Sequence, residues 1–170
     1  FTDFKSFTAI AEELSAEELV GMLDECFRAY DRITNRYGIE KIKTIGDSYM
    51  CASGLPDPQS DHATRIVNAA LDIRAWMESY SERRRSAGLP TFEVRIGVHS
   101  GPVVAGVVGN KKFAYDIWGD TVNLAARMEA SGQPGKVNIS AATYELVKAH
   151  FKCRDRGLVE AKGKGEQQMY

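Results

Sequence analysis

Two carboxylates near the start of the chain, Asp3 and Asp47, are of the residue type that binds hard metal ions. Asp3 ends a predicted strand, and Asp47 lies at the tip of a predicted hairpin. Residues at the ends of adjacent strands can converge, and Mg²⁺ prefers carboxylate oxygens together with substrate phosphates. The pair could therefore hold two metal ions. Aspartate is also a common turn residue, and without further context that plainer interpretation is favoured.

Backbone groups just after Asp3 suit the same chemistry. The segment from Lys5 to Thr8 turns from a strand into a helix. Amides in the first turn of a helix have no intrahelical partner, so they can receive phosphate oxygens. The start of this helix is a candidate phosphate contact.

A second polar group lies in the C-terminal half. Asn123 and Arg127 are four residues apart in a predicted helix, so their side chains share one face. An arginine suits a phosphoryl group that gains charge in the transition state, and an asparagine can position a sugar or an oxygen. The alternative is an exposed helix face with Arg127 paired to a surface carboxylate. Lys162 and Lys164, in a glycine-rich stretch, could reach a triphosphate, although such lysines are usually only solvated.

Lys43 and Asp116 lie on two predicted strands and offer a donor and an acceptor. Adenine presents a ring-nitrogen acceptor and an amine donor, so this pair could recognise its edge, whereas guanine requires the reverse pattern. The alternative is an exposed lysine and an unrelated turn aspartate.

Composition limits the class of protein. The 170 residues are 44% hydrophobic and 26% charged, which predicts one globular domain with one core. A net charge of −1 provides no general attraction for nucleic acid, so any polyanion must bind at local Lys and Arg residues. The three scattered cysteines, Cys26, Cys51 and Cys153, favour reduced thiols in a cytosolic compartment. No apolar run reaches the roughly 18 to 20 residues that span a bilayer.

The chain starts at Phe1 within what the pattern predicts to be a strand. We therefore expect residues 1–170 to be a single domain from a larger protein, with its first strand truncated.

Hydrophobic periodicity and capping signals predict the elements that position these residues. Ser15 and Glu18 form a capping box before a long helix, Gly46 and Asp47 divide a β-hairpin, and Asp120 is a predicted N-cap for a helix that Gly132 closes. The other predicted elements are a helix over 61–86, strands over 92–98 and 103–108 that pair as a hairpin, a strand over 137–139, a helix over 140–150 and a strand-like tail over 151–170. This order predicts an α+β fold with a ferredoxin-like, antiparallel-dominated sheet and helices packed on one face.

Four segments together closely resemble the class III nucleotidyl cyclase catalytic domain, in the family's order and spacing. They are residues 1–8 (FTDFKSFT), 41–50 (KIKTIGDSYM), 115–128 (YDIWGDTVNLAARM) and 162–165 (KGKG). The resemblance covers essentially the whole chain, and it favours the catalytic interpretation of every candidate above.

The resemblance implies a role for each candidate residue. Asp3 and Asp47 would bind two Mg²⁺ or Mn²⁺ ions, with the Phe4 carbonyl as a further ligand. The amides of Phe7 and Thr8 would lie near the phosphates. Lys43 and Asp116 would specify adenine, because guanylyl cyclases carry Glu and Cys at these positions. Asn123 and Arg127 would orient the ribose and stabilise the pentavalent phosphorus. Lys162 would bind the triphosphate, and Lys111 would assist it.

The activity implied is that of a cytoplasmic adenylyl cyclase, which converts ATP to cyclic AMP and pyrophosphate. Family members build the site between two catalytic domains, and this chain carries both sets of residues, so we expect a head-to-tail homodimer with two equivalent sites. Upstream regulatory or membrane domains are expected in the parent protein. The alternatives are a guanylyl or dual-specificity cyclase and a catalytically silent nucleotide-binding module.

Overall fold

A computed structural model describes residues 1–109 and 114–170 and has the expected α+β architecture. The helices are α1 (Phe7–Ala11), α2 (Ala16–Arg36), α3 (His62–Ser86), α4 (Asp120–Ala130) and α5 (Ala141–Val147). The strands are β1 (Thr2–Lys5), β2 (Glu40–Ile45), β3 (Ser48–Ala52), β4 (Glu93–Val98), β5 (Val104–Val108), β6 (Ala114–Trp118), β7 (Val137–Ile139), β8 (Gly157–Ala161) and β9 (Gly165–Met169).

The central sheet has the order β2-β3-β1-β4-β7 and is antiparallel except for the parallel pair β4 and β7. Two separate hairpins, β5-β6 and β8-β9, stand outside it. The antiparallel-dominated sheet is as predicted.

Capping explains where the long helix α2 begins. The Ser15 Oγ accepts from the Glu18 amide at 3.2 Å, and the Glu18 carboxylate accepts from the Ser15 amide at 2.9 Å. This is the predicted capping box, and it satisfies two of the free donors at the helix start. The helix then buries Met22, Cys26 and Ile33 at helical spacing.

The main core lies between α2, α3 and one face of the sheet. Phe4, Val94 and Ile96 project from β1 and β4 into it and are almost fully buried. Because side chains alternate across a strand, the residues between them project from the opposite face of the sheet. That opposite face carries Asp3, Arg95 and Gly97.

Helix α4 covers this second face, so the prediction that all helices pack on one face is wrong. A Cβ on Gly97 would meet the backbone nitrogen of Glu129 at 1.9 Å. Only glycine at this position allows the helix backbone to lie so close to the sheet. Met128 faces a small separate cluster with Ala161 and Met169 of the C-terminal hairpin.

Two further predictions are corrected. Strand β4 pairs with β1 and β7 rather than with β5, which pairs with β6 instead. Alternating hydrophobicity predicts a strand but not its partner, because any strand with a buried face presents the same pattern.

Helix α4 also differs at both ends. Gly119, with φ 139°, is the residue before the helix, and Asp120 is its first residue. Gly132 does not adopt a positive φ, so it provides no left-handed cap. A Cβ there would meet the Glu129 carbonyl oxygen at 2.8 Å, so glycine at this position allows a close approach.

Among the residues described, no helix combines the length and apolar character that crossing a membrane requires.

The Gly97→Ala substitution tests the contact between β4 and α4. We expect it to lower the free energy of unfolding by about 3 kcal/mol or more, because the clash is with helix backbone that has no freedom to move aside. The measurement is denaturant unfolding followed by circular dichroism. Gly21→Ala is the matched control: it lies in α2 with nothing within 4 Å, and it should raise stability by about 0.5 to 1 kcal/mol. Equal effects at the two positions would contradict the packing argument.

Candidate active site

Asp3 and Asp47 come together at one end of the β1 strand. Asp3 is opposite Arg95 in the β1 and β4 ladder, and the Arg95 Nη2 donates to the Asp3 Oδ1 at 2.8 Å. The Ser48 hydroxyl donates to the other Asp3 oxygen at 2.8 Å. In the turn between β2 and β3, the Asp47 Oδ2 accepts from the Phe4 amide at 3.2 Å. The two aspartates predicted from sequence thus share one site.

Arg95 also connects this site to helix α4. Its Nε donates to the Glu129 Oε1 at 2.8 Å, so one guanidinium bridges Glu129 and Asp3. Burial and the charge of Asp3 raise the pKa of Asp47. Burial, followed by the same Asp3 charge, raises the pKa of Glu129 even though it is paired with Arg95. Three carboxylates therefore surround one cation, and the cluster favours further positive charge.

A divalent metal fits this cluster. Within 1–109 and 114–170, no three His, Cys, Asp or Glu side chains are grouped so as to hold an ion by themselves. Two aspartates with substrate oxygens and water are instead the donor set that Mg²⁺ and Mn²⁺ accept, because these ions bind few protein carboxylates and add phosphate oxygens. A cation bound between Asp3 and Asp47 would offset the Asp3 charge that raises the pKa of Asp47.

Phe4, Phe7 and Thr8 can contribute backbone groups to the candidate site. The Phe4 ring is buried and lies 5.0 Å from the Phe92 ring, and the Phe7 ring lies 5.7 Å from that same ring. These aromatic contacts fix the start of α1, where Phe7 and exposed Thr8 contribute first-turn amides. The rings themselves belong to the core.

Lys43 and Asp116 form the ion pair that joins the sheet to the β5-β6 hairpin. The Lys43 Nζ lies 2.5 Å from the Asp116 Oδ2, although the two residues are 73 positions apart. The hydrogen bond from Lys43 lowers the pKa of Asp116, and the Ile117 amide donates to the other Asp116 oxygen at 2.9 Å. A register shift in β2 between Lys41 and Lys43 marks a bulge next to the pair. The predicted donor and acceptor are therefore adjacent.

Asn123 and Arg127 lie on α4 as predicted. Neither side chain makes a hydrogen bond or an ion pair with any residue that the structure describes, so the surface-carboxylate alternative for Arg127 is not supported there. Arg127 and Glu129 are two residues apart, and they therefore project about 160° apart around the helix. Glu129 faces Asp3 of its own chain through Arg95, whereas Arg127 faces away from that cluster.

The turn of the C-terminal hairpin lies next to the start of α4. Lys164 pairs with Asp120 in the first turn of the helix. Lys162 is exposed in the same turn, two residues before Lys164. Lys111 lies outside the described residues.

Sequence reasoning missed Arg95, Glu129 and Ser48. A signal for Arg95 was present, because it is the one cation of this strand and lies between the apolar residues Val94 and Ile96. A buried glutamate at position 129 had no such signal, since its burial depends on how closely α4 approaches Gly97.

Comparison with known proteins identifies the family. The family model described as the adenylate and guanylate cyclase catalytic domain matches residues 1–170. An adenylate cyclase of Mycobacterium bovis is 41% identical over 165 residues, which cover 97% of this chain and 36% of that protein. The chain thus spans about a third of this relative's length.

Two solved structures have nearly the same fold. The guanylate cyclase domain of RhGC from Catenaria anguillulae, in complex with GTP, has a TM-score of 0.92 at 38% identity and covers 99% of this chain and 91% of that chain. The adenylyl cyclase CyaB from P. aeruginosa has a TM-score of 0.93 at 32% identity, and the match covers 99% of this chain and 89% of that chain. The chain belongs to the class III nucleotidyl cyclase catalytic domain family. Relatives of both nucleotide specificities match it.

Asp47→Asn tests the electrostatics of the carboxylate cluster. Without metal, we expect the variant to melt at or above the wild-type temperature, because the substitution removes a charge that burial and Asp3 disfavour. With Mn²⁺, wild type should gain several degrees and the variant much less, because a ligand has been lost. Differential scanning calorimetry measures both.

Asp57→Asn is the matched control, since this aspartate is exposed in the loop after β3. Its melting temperature should rise with Mn²⁺ as in wild type. An equal gain for Asp47→Asn would contradict the metal assignment.

Proposed function

We propose that the domain is an adenylyl cyclase that converts ATP to 3′,5′-cyclic AMP and pyrophosphate at sites shared across a head-to-tail homodimer. The observation that carries the choice of nucleotide is the Lys43 and Asp116 pair. A lysine can donate only, and an ionised aspartate can accept only. Adenine offers an acceptor nitrogen and a donor amine to such a pair, whereas guanine offers the opposite pattern.

The reaction proposed is an in-line attack of the ribose 3′-oxygen on the α-phosphorus. A new bond forms between these two atoms, the bond from the α-phosphorus to the pyrophosphate oxygen breaks, and the 3′-hydroxyl proton leaves to solvent. Two Mg²⁺ or Mn²⁺ ions, held by Asp3, Asp47 and the Phe4 carbonyl, would lower the pKa of the 3′-hydroxyl and neutralise the leaving pyrophosphate.

The remaining candidates would position the substrate and stabilise charge. Arg127, which has no carboxylate partner among the described residues, is suited to the charge that develops on the α-phosphate. Asn123, one turn earlier, would orient the ribose. Lys162 would bind the triphosphate, and Lys111 would assist it. The first-turn amides of Phe7 and Thr8 would also contact phosphate oxygens.

The direction of the α4 side chains supports a shared site. Within one chain, Glu129 and Arg127 face nearly opposite ways, so the metal cluster and Arg127 point apart. A second copy related by a two-fold axis would bring the Arg127 of one chain to the aspartates of the other, twice. Exposed Val104, Val107 and Val108 on β5 offer apolar surface of the kind that dimers bury.

A cytoplasmic setting fits a substrate such as ATP and three free cysteines, Cys26, Cys51 and Cys153. We also propose that the parent protein carries upstream regulatory or membrane domains; the adenylate cyclase of Mycobacterium bovis is a longer protein, of which the matched region is 36%.

The first test identifies the product and exchanges the base-reading pair. Purified domain incubated with Mn²⁺ and either ATP or GTP should yield mainly cyclic AMP by mass spectrometry. In Lys43→Glu with Asp116→Cys, the ratio of kcat/KM for ATP to that for GTP should fall by about a hundredfold, because donor and acceptor are reversed. Lys41→Gln on the same strand should leave the ratio unchanged. If the wild type forms mainly cyclic GMP, the result favours a guanylyl cyclase. If neither nucleotide gives a product, it favours a silent binding module.

The second test is complementation between Asp47→Ala and Arg127→Ala chains. Each should be nearly inactive alone, and a mixture should recover about a quarter of wild-type activity, because half of the dimers carry one intact site. The measurement is cyclic AMP formation after heterodimers are verified by mass.

A chain carrying both substitutions distinguishes the shared site from a site within one chain. Mixed with wild type, it should abolish activity in every heterodimer, since neither shared site is then intact. A heterodimer with half of the wild-type activity would exclude sharing.

A further inference from the structure

A cationic groove lies at the edge of the sheet beyond β7, and it shares no residue with the catalytic cluster. The groove has a volume of about 640 Å³, which is within the range of small-molecule sites. It is formed by α3, by the chain from Gln133 to Ile139 and by the chain from Phe151 to Arg156. The groove is therefore separate from the residues assigned to the cyclase reaction.

Positive charge is concentrated in this groove, although the whole chain has a net charge of −1. The lining cations come from three separate parts of the chain: Arg74, Lys136, Lys152, Arg154 and Arg156. Asp155 is the one carboxylate side chain among the lining residues. Its Oδ1 accepts from the Gly157 amide and from Gln168, so its hydrogen bonds are made outside the set of cations. None of the five cations has an ion-pair partner in the described part of the chain.

Arg74 carries the clearest mark of a missing ligand. Its Nε is buried and has no hydrogen-bond partner among the residues described. The side chain as a whole is half-buried, so the rest of its guanidinium is free to bind an anion in the groove. The planar guanidinium presents donors in a fork that matches the oxygens of a phosphate group.

Arg156 forms a rigid wall of the same groove. Its Nη1 donates to the Ser131 carbonyl at 3.0 Å and to the Asn138 Oδ1 at 2.5 Å. Both acceptors are neutral, so the guanidinium is held in place while its charge remains uncompensated. Asn138 in turn donates to the Met128 carbonyl at 2.7 Å, which anchors this wall to α4.

We propose that this groove is a second anion site, which binds a small ligand carrying two or more phosphate groups. Cations contributed by three segments around a concave surface suit several phosphates better than one. The Arg74 guanidinium, which no described residue pairs, provides a fork of donors that a surface lysine does not. The proposal is independent of the cyclase activity, because it uses none of the residues assigned to that reaction.

The test is a titration of the ¹⁵N-labelled domain with inorganic pyrophosphate, in EDTA and at constant ionic strength. Omitting divalent ions disfavours binding at the aspartates. We expect saturable shifts of the Arg74 Nε–H signal and of the amides of 152–156. Arg74→Gln should weaken binding about tenfold, since a charged hydrogen bond is lost. Arg154→Gln, at an exposed position where folding is not at risk, should weaken it about threefold.

Arg83→Gln is the matched control, because Arg83 is exposed on the same helix and the substitution removes the same charge. It should change the dissociation constant less than twofold. Three results would overturn the proposal: shifts confined to residues near Arg95 and Arg127, linear shifts without saturation, or equal binding by wild type and both groove variants. Binding to vesicles with phosphoinositides but not to pyrophosphate would likewise exclude a small soluble ligand.

Discussion

The close approach of α4 to β4 at Gly97 is the contact on which the rest of the site depends. No other residue tolerates helix backbone at this distance, because any Cβ would overlap the Glu129 backbone. The approach buries Glu129 beside Arg95, and Arg95 then holds Asp3. The absence of a side chain at Gly97 thus determines the surroundings of the carboxylates Asp3, Asp47 and Glu129.

The two faces of the sheet have different tasks. The face towards α2 and α3 is apolar and supplies most of the hydrophobic burial, with Phe4, Val94 and Ile96 at its centre. The other face carries ionisable groups, which are costly to bury unless they are paired. Pairing through Arg95 limits that cost, and it leaves net negative charge that a divalent ion can balance.

Helix α4 has some residues that contact their own chain and others that do not pair within the described residues. Two of its residues serve its own chain: Glu129 bonds to Arg95 of the sheet, and Met128 packs against the C-terminal hairpin. Asn123 and Arg127 make no hydrogen bond or ion pair with a described residue. A helix with polar groups that are unmatched within the chain is typical of a surface that acts on a ligand or on a second subunit. The Lys164 and Asp120 pair extends this surface to the C-terminal hairpin.

Sequence by itself determined several local elements and singled out candidate site residues. The capping box at Ser15 and the turn at Gly46 depend on neighbouring residues only, so the start of α2 and the turn of the β2-β3 hairpin lie where they were predicted. Lys43 and Asp116 were paired from their donor and acceptor chemistry, and the structure places them in direct contact.

Tertiary structure alone decided which strands pair, which face α4 covers and where Arg95 and Glu129 meet. Hydrophobic alternation predicts that a strand has a buried face, but it does not predict which strand pairs with it. For this reason the prediction that β4 pairs with β5 was wrong. The burial of Glu129 follows from a backbone distance at a glycine 32 residues earlier. Such a distance results from packing, and no local pattern of residue types encodes it.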